Sequence, residues 1–187
     1  MRQHILLGVV LLFSFVTCRQ SSTSPTTTYQ GTPLPTPQDK MWCEQACPPA
    51  AWLVTDDGIV EASYGAFTTA MHTDAGPTLL KEEIAAGRLH VGSQAVIVVA
   101  STSVSTFDAR EQSWNQDPLP YTATSGRLLA STSTQTESTT VFTLEQADEP
   151  GEQLVHVTIT FPVKPAPAIG TTGIATYVWR VTVAQKR

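Results

Sequence analysis

The feature that most constrains the fold is the alternation of apolar and polar residues in the segment Leu154 to Phe161. Every second residue from Val155 onward is apolar, and the residues between them are His156 and threonines. Successive side chains of a β-strand point to opposite faces, so the pattern predicts a strand with one buried face. His156 falls on the polar face, and we expect it to be solvent-exposed.

Similar apolar segments recur along the chain and are separated by turn signals. The first turn is Asp56-Asp57-Gly58, because aspartate and glycine tolerate left-handed backbone geometry. We do not interpret it as a calcium site, since the segment lacks the alternating acidic ligands of a calcium-binding loop. One short helix is predicted at Thr78–Ala86, capped by Thr78 and ended by Gly87. The other predicted strands are 51–54, 59–67, 94–107, 126–134, 139–147 and 174–183. This pattern predicts an all-β antiparallel β-sandwich, with a jelly roll as the alternative.

The C-terminal third resembles the immunoglobulin-like domains of bacterial surface proteins. Gly173 to Trp179 looks like the Ala-x-Tyr-x-Cys pattern of an immunoglobulin F strand, and Trp179 stands where that family has cysteine. The resemblance implies that Tyr177 is the corner tyrosine of a sandwich formed by residues 41–187.

The N-terminus has the organisation of an export signal. A short basic head precedes an apolar run from Ile5 to Val16. A helix that crosses a membrane needs about 20 apolar residues, so this run is too short for a transmembrane span. Residues 1–17 are therefore predicted to be a secretory signal peptide.

The end of this signal resembles the lipobox of bacterial lipoproteins. The residues are Phe15-Val16-Thr17-Cys18. The resemblance implies that Cys18 becomes the first mature residue, carries lipid and anchors the protein to an extracytoplasmic membrane surface. Ordinary cleavage near Cys18, which would release a secreted protein, is the alternative.

Residues 18–40 are predicted to carry the lipid and form a disordered stalk. The stretch is rich in Ser, Thr and Pro and has too few large apolar groups to offset the entropy of ordering. In an oxidising compartment, Cys43 and Cys47 are predicted to form a disulfide. Metal binding by this pair would need further ligands, and the candidate histidines are scattered.

Charge excludes one class of partner. The chain has 11 Lys and Arg against 16 Asp and Glu, a net charge of −5, with no basic cluster. Nucleic-acid binding depends on clustered cationic side chains, so we do not expect a nucleic-acid partner. No motif indicates a cofactor or a metal.

The longest irregular stretch predicted from the sequence is Asp108–Tyr121. We place the predicted ligand contacts there because long loops often carry function. Its candidate contact residues are Trp114, Asn115, Asp117 and Tyr121. The aromatic ring would stack on a sugar while the polar groups bond its hydroxyls. Burial of Trp114 at one end of the core is the favoured alternative.

Catalytic signals are weak. Glu82 and Glu83 are adjacent, and on a helix neighbouring side chains diverge, so we interpret the pair as a solvated surface. Neither a Gly-x-Ser-x-Gly nor a His-Glu-x-x-His motif is present. We therefore predict a non-catalytic, membrane-anchored binding or structural module with a cell-wall, carbohydrate or envelope-protein partner. The alternatives are an exported hydrolase, using His72, His90 or His156, and an accessory lipoprotein of an envelope complex.

Overall fold

The structure is a computed structural model, and it describes residues 33–36, 47–69, 73–74, 81–115, 126–163 and 172–186. The predicted signal peptide, Cys18 and Cys43 lie outside these residues. Within the described ranges, no helix is long and apolar enough to span a membrane.

The described chain is nearly all β and folds into two sheets packed face to face, which confirms the predicted β-sandwich. Sheet A has the spatial order β2 (Gly58–Glu61), β1 (Ala51–Thr55), β6 (Gln94–Val99), β10 (Thr140–Gln146) and β9 (Ser131–Gln135). Sheet B has the order β4 (Thr73–Asp74), β3 (Ser63–Thr69), β12 (Thr172–Ala184), β11 (Gly151–Pro162), β7 (Thr106–Ser113) and β8 (Arg127–Leu128). A further strand, β5 (Ala86–His90), pairs with the second half of β12 in parallel, whereas the other described pairs are antiparallel.

The main core lies between the two sheets. Sheet A contributes Leu53 and Ile97, which are fully buried, and sheet B contributes Val157, Tyr177 and Trp179. The apolar residues Val155, Val157, Ile159 and Phe161 of β11 face this core, which confirms the buried face predicted for this strand.

The other face of β11 contradicts the sequence-based prediction. His156 is only 1% exposed, and it lies beside Arg110 of β7 and Val178 of β12 across the strand ladder. Neither ring nitrogen has a hydrogen-bond partner among the residues that the structure describes. The prediction of a solvent-facing histidine is therefore wrong, because the polar face of this strand is covered as well.

Two chain segments change sheets within a residue or two. The predicted single strand 59–67 is two strands, since Glu61 ends β2 in sheet A and Ser63 begins β3 in sheet B. Ala62 is buried at the crossing, and its N–H donates to the carbonyl of Ala51 over 2.9 Å. The predicted strand 126–134 divides in the same way into β8 and β9, with Leu129 buried between them.

Two local predictions are wrong for tertiary reasons. Only a 3₁₀ turn at Lys81–Glu83 forms within the described part of the predicted helix, because Ala86 already pairs with β12 as the first residue of β5. The segment 108–113 is strand rather than loop, because β7 pairs along its length with β11. Long-range strand pairing overrides the weak local signals in both segments.

The outer face of sheet A is apolar. Trp52, Val98 and Val141 are buried there, and Leu34 from the proline-rich segment packs against them. Residues 33–36, which belong to the predicted disordered stalk, therefore lie on the domain at this point. The remainder of the predicted stalk falls outside the described residues.

Candidate functional site

An open recess lies at the end of β7, where the chain enters and leaves sheet B. It has a volume of about 480 Å³ and is lined by Glu111, Gln112, Ser113, Asn115 and Gly126. We refer to it as the Asn115 recess. Ligand sites commonly have volumes of about 300–1,000 Å³, so the recess is large enough for a small ligand or one unit of a polymer.

The backbone conformation at Gly126 requires glycine. Its φ is +104°, a conformation that glycine adopts without the strain other residues incur. A Cβ atom here would collide with the backbone carbonyl of Glu111 and the side chain of Gln112. The glycine thus allows the backbone directly before β8 to approach β7 closely.

A shared ion pair fixes the acidic wall of the recess. Arg127 Nε donates to Glu111 Oε1 over 2.6 Å, and the same guanidinium donates to Glu145 of β10. The hydrogen bond that Arg127 donates to the Glu111 carboxylate is the main cause that raises the pKa of Arg127. Two carboxylates share one cation, so this rim carries a net negative charge and links the two sheets.

These groups suit recognition of hydroxyl-rich ligands. A carboxylate accepts hydrogen bonds, and an asparagine amide both donates and accepts them. Asn115 is exposed, whereas the carboxylate of Glu111 is held in place by Arg127. The arrangement offers fixed and adaptable polar groups side by side.

The structure separates the four predicted contact residues. Asn115 lines the recess, and Asp117 and Tyr121 lie outside the described residues. Trp114 is 9% exposed and packs with Ile84, Leu154 and Val178. This agrees with the favoured alternative of core burial, and Trp114 has little accessible surface for stacking on a sugar.

The surroundings of Trp114 include two cations. The guanidinium carbon of Arg180 lies 5.2 Å from the indole centroid, and Lys81 Nζ lies 5.8 Å from it. Cation–π attraction at these distances contributes about 0.5–1 kcal/mol each when exposed. Trp114 therefore holds the 3₁₀ turn against the outer face of sheet B.

A second polar cluster joins the β1–β2 turn to the β5–β6 turn. Asp56 Oδ2 accepts hydrogen bonds from the backbone N–H of His90 over 2.8 Å and from the Ser93 hydroxyl over 3.1 Å. It also lies 2.8 Å from His90 Nδ1. In a hydrolytic triad the serine bonds to the histidine instead. Among the described residues, no hydrogen bond joins a serine hydroxyl to a histidine ring, and this cluster braces two turns.

The other residues singled out in the sequence are placed as follows. Glu82 and Glu83 are both exposed on the 3₁₀ turn. His72 and Cys43 lie outside the described residues, so the Cys43–Cys47 bond stays a prediction. Within the described ranges, no three His, Cys, Asp or Glu side chains are grouped as metal ligands.

Tyr177, the tyrosine of the immunoglobulin-like pattern, forms a long-range contact. Its hydroxyl donates to the carbonyl of Pro49 over 2.6 Å, and the two residues are 128 positions apart. A corner tyrosine bonds to backbone a few residues upstream. Tyr177 instead fastens the centre of sheet B to the entry of β1, and burial raises its pKa.

Comparison with known proteins finds no match: no family model, no curated protein and no solved structure is significantly similar to the chain. The function is therefore argued from the site alone.

Sequence reasoning missed most of the recess. Glu111 and Arg127 are 16 positions apart and meet only because β7 pairs with β8. The one local signal was the Gly126-Arg127 step, which we interpreted as the start of a strand. Asn115, predicted as a possible ligand contact, is exposed, and that role stays a prediction.

Proposed function

We propose that the protein is a non-catalytic, membrane-anchored extracytoplasmic binding or structural module, and that the Asn115 recess contacts its ligand. The supporting observation is the recess itself, in which exposed Asn115 lies beside Glu111, a carboxylate fixed by Arg127. The ligand class that fits these groups is a hydroxyl-rich polymer, such as a cell-wall or extracellular carbohydrate.

Binding to cell-wall polysaccharide from the native host tests this proposal. Asn115→Ala removes the amide that lines the recess and should weaken binding about tenfold, since one or two hydrogen bonds contribute about 1 kcal/mol each. Gln185→Ala removes an exposed amide far along the chain and is the matched control. Equal binding by both variants in a co-sedimentation assay would remove the recess from consideration.

Trp114 is a poor probe of binding because it is buried. Replacing it would disturb the packing around Leu154 and Val178, so lost binding would report lost structure. Asn115 has no such packing role.

The membrane anchor is a separate proposal that rests on the residues around Cys18. The intact mass of the protein from its native host tests it. A mass that equals the chain starting at Cys18 plus diacylglycerol and acyl groups supports the anchor. A mass that equals a lipid-free chain starting after Cys18 refutes it. Reduction of the same sample should add two hydrogens if Cys43 and Cys47 are bonded.

An exported hydrolase is the second proposal: Asp56 contacts the ring of His90 as the acid of a triad does, although the Ser93 hydroxyl bonds to Asp56 and not to this ring. Release of soluble sugar from the same polysaccharide, lost in His90→Gln, would support the hydrolase. Binding without release supports the non-catalytic module.

A further inference from the structure

One edge of sheet A differs from every other described edge. The outermost strand is β9, with the sequence Ser-Thr-Ser-Thr-Gln, and all five of its residues are exposed. It has no proline and no charged side chain, which are the features that commonly prevent an edge strand from pairing with another chain.

The hydrogen-bond pattern shows which backbone groups of β9 face outward. The carbonyl of Ala130 accepts from Glu145 N–H, and Thr136 N–H donates to Thr139, both over 2.9 Å. Bonding alternates along an antiparallel ladder, so Thr132 and Thr134 also bond inward to β10. The intervening residues therefore direct their N–H and C=O groups away from the sheet; they are Ser131, Ser133 and Gln135.

The remaining sheet edges are less suited to pairing. In sheet A, β2 is shorter than β9 and ends with Glu61. In sheet B, both β4 and β8 have two residues, and β8 includes the ion-paired Arg127. The edge strand β5 carries Arg88, whose carbonyl already accepts a hydrogen bond from Asp56 N–H. Charge matters here because a two-fold axis brings the same edge of two molecules together, so a charged edge is placed against like charge in its own copy.

We propose that β9 is a self-association edge, along which a second copy of this chain adds its own β9 in antiparallel orientation. The outward-facing groups of Ser131, Ser133 and Gln135 provide the hydrogen bonds. The two-fold axis passes beside Ser133, so Ser133 pairs with itself and Ser131 pairs with Gln135 of the second copy. The result is a continuous sheet made from sheet A of two molecules.

The side chains match this register. Thr132 meets Thr134 of the other copy on the outer face, and threonine pairs across strands are favourable. A five-residue pairing buries little area, so the association is weak for free molecules. Confinement of both copies to one membrane surface would raise their effective concentration. The pairing itself needs neither the anchor nor the Asn115 recess.

Cysteine cross-linking of the full chain in its native host tests the geometry. Residues that form a hydrogen-bonded antiparallel pair have Cα atoms about 5.5 Å apart, within the range of about 4.4–6.8 Å that a disulfide spans. Ser133→Cys should therefore give a reducible dimer. Thr132→Cys is the matched control, because its own copy lies diagonally about 7–8 Å away.

Charge exchange tests the same axis independently. Because the association is weak, two differently tagged copies are joined by a chemical cross-linker in intact cells before purification. They should co-purify as wild type, fail to do so when both carry Ser133→Glu, and recover when one carries Ser133→Glu and the other Ser133→Lys. Ser103→Glu, in an exposed loop, should leave co-purification unchanged. The proposal is wrong if wild-type copies do not co-purify, if Ser133→Cys cross-links no better than Thr132→Cys, or if folded Glu and Lys variants fail to recover pairing.

Discussion

Acidification should destabilise the protein through His156. Burial lowers the pKa of His156 from its ordinary value near 6.5 to about 4, because the charged ring would lose its hydration and find no hydrogen-bond partner. Arg110 is its cross-strand neighbour on β7, and Val178 is its neighbour on β12. No acid from these paired positions is available to stabilise an imidazolium.

The sign and the size follow from proton linkage. Between pH 6.5 and about 4 the unfolded chain binds a proton at this residue and the folded chain does not, so the free energy of unfolding falls as the pH falls. Over the whole interval between the two pKa values, the free energy of unfolding falls by about 3 kcal/mol. Over the step from pH 7 to pH 5 it falls by about 2 kcal/mol. The contribution is fully present above the unfolded-state pKa.

Urea unfolding followed by tryptophan fluorescence measures this effect at pH 7 and pH 5. In His156→Leu the new side chain has a similar volume and no titratable group. The free energy of unfolding of this variant should therefore fall by about 2 kcal/mol less than that of wild type between pH 7 and pH 5. Carboxylate titration is common to both proteins and cancels. Ser103→Ala, which changes an exposed side chain without a titratable group, is the control and should behave as wild type. Equal losses in His156→Leu and wild type would refute the reasoning.

Three further substitutions test the packing around the candidate site. Trp114→Ala should cost about 3 kcal/mol of unfolding free energy, because it empties a buried indole site; an unchanged urea midpoint would contradict its burial. Gly126→Ala should cost more than about 1 kcal/mol, since φ is +104° and the new methyl meets the carbonyl of Glu111; a neutral effect would contradict the close approach. Tyr177→Phe should cost about 1 kcal/mol through the lost bond to Pro49, and a melting temperature equal to wild type would argue against that bond.

The strands with one buried face were predictable because their pattern is local. Alternation between Leu154 and Phe161 gave the core-facing side of β11, and the Asp56-Asp57-Gly58 turn gave the first hairpin. Neither inference needs knowledge of what packs against the strand. The export signal and the lipobox resemblance are also local patterns, and they stay predictions.

The sequence-based predictions that were wrong concern features that depend on residues distant in the chain. A strand such as β7, with Asp108, Arg110 and Gln112, looks irregular until β11 is placed beside it. The sheet change at Ala62 occupies one residue, too short for any periodicity to show it. The predicted helix gave way to β5 because β12 offers a pairing edge, and a short amphipathic pattern is weaker than a strand ladder.

The sequence by itself determined the fold class and the face of β11 that enters the core, and it named Asn115 as a candidate contact residue. Tertiary structure alone decided that His156 is buried, that Glu111 and Arg127 meet beside Asn115, and that β9 is left as an uncharged edge. Periodicity records whether a side chain prefers water or a core, and this preference acts at each residue separately. Which face is covered, and which edge stays open, depends on segments far apart in the chain that meet only in the folded protein.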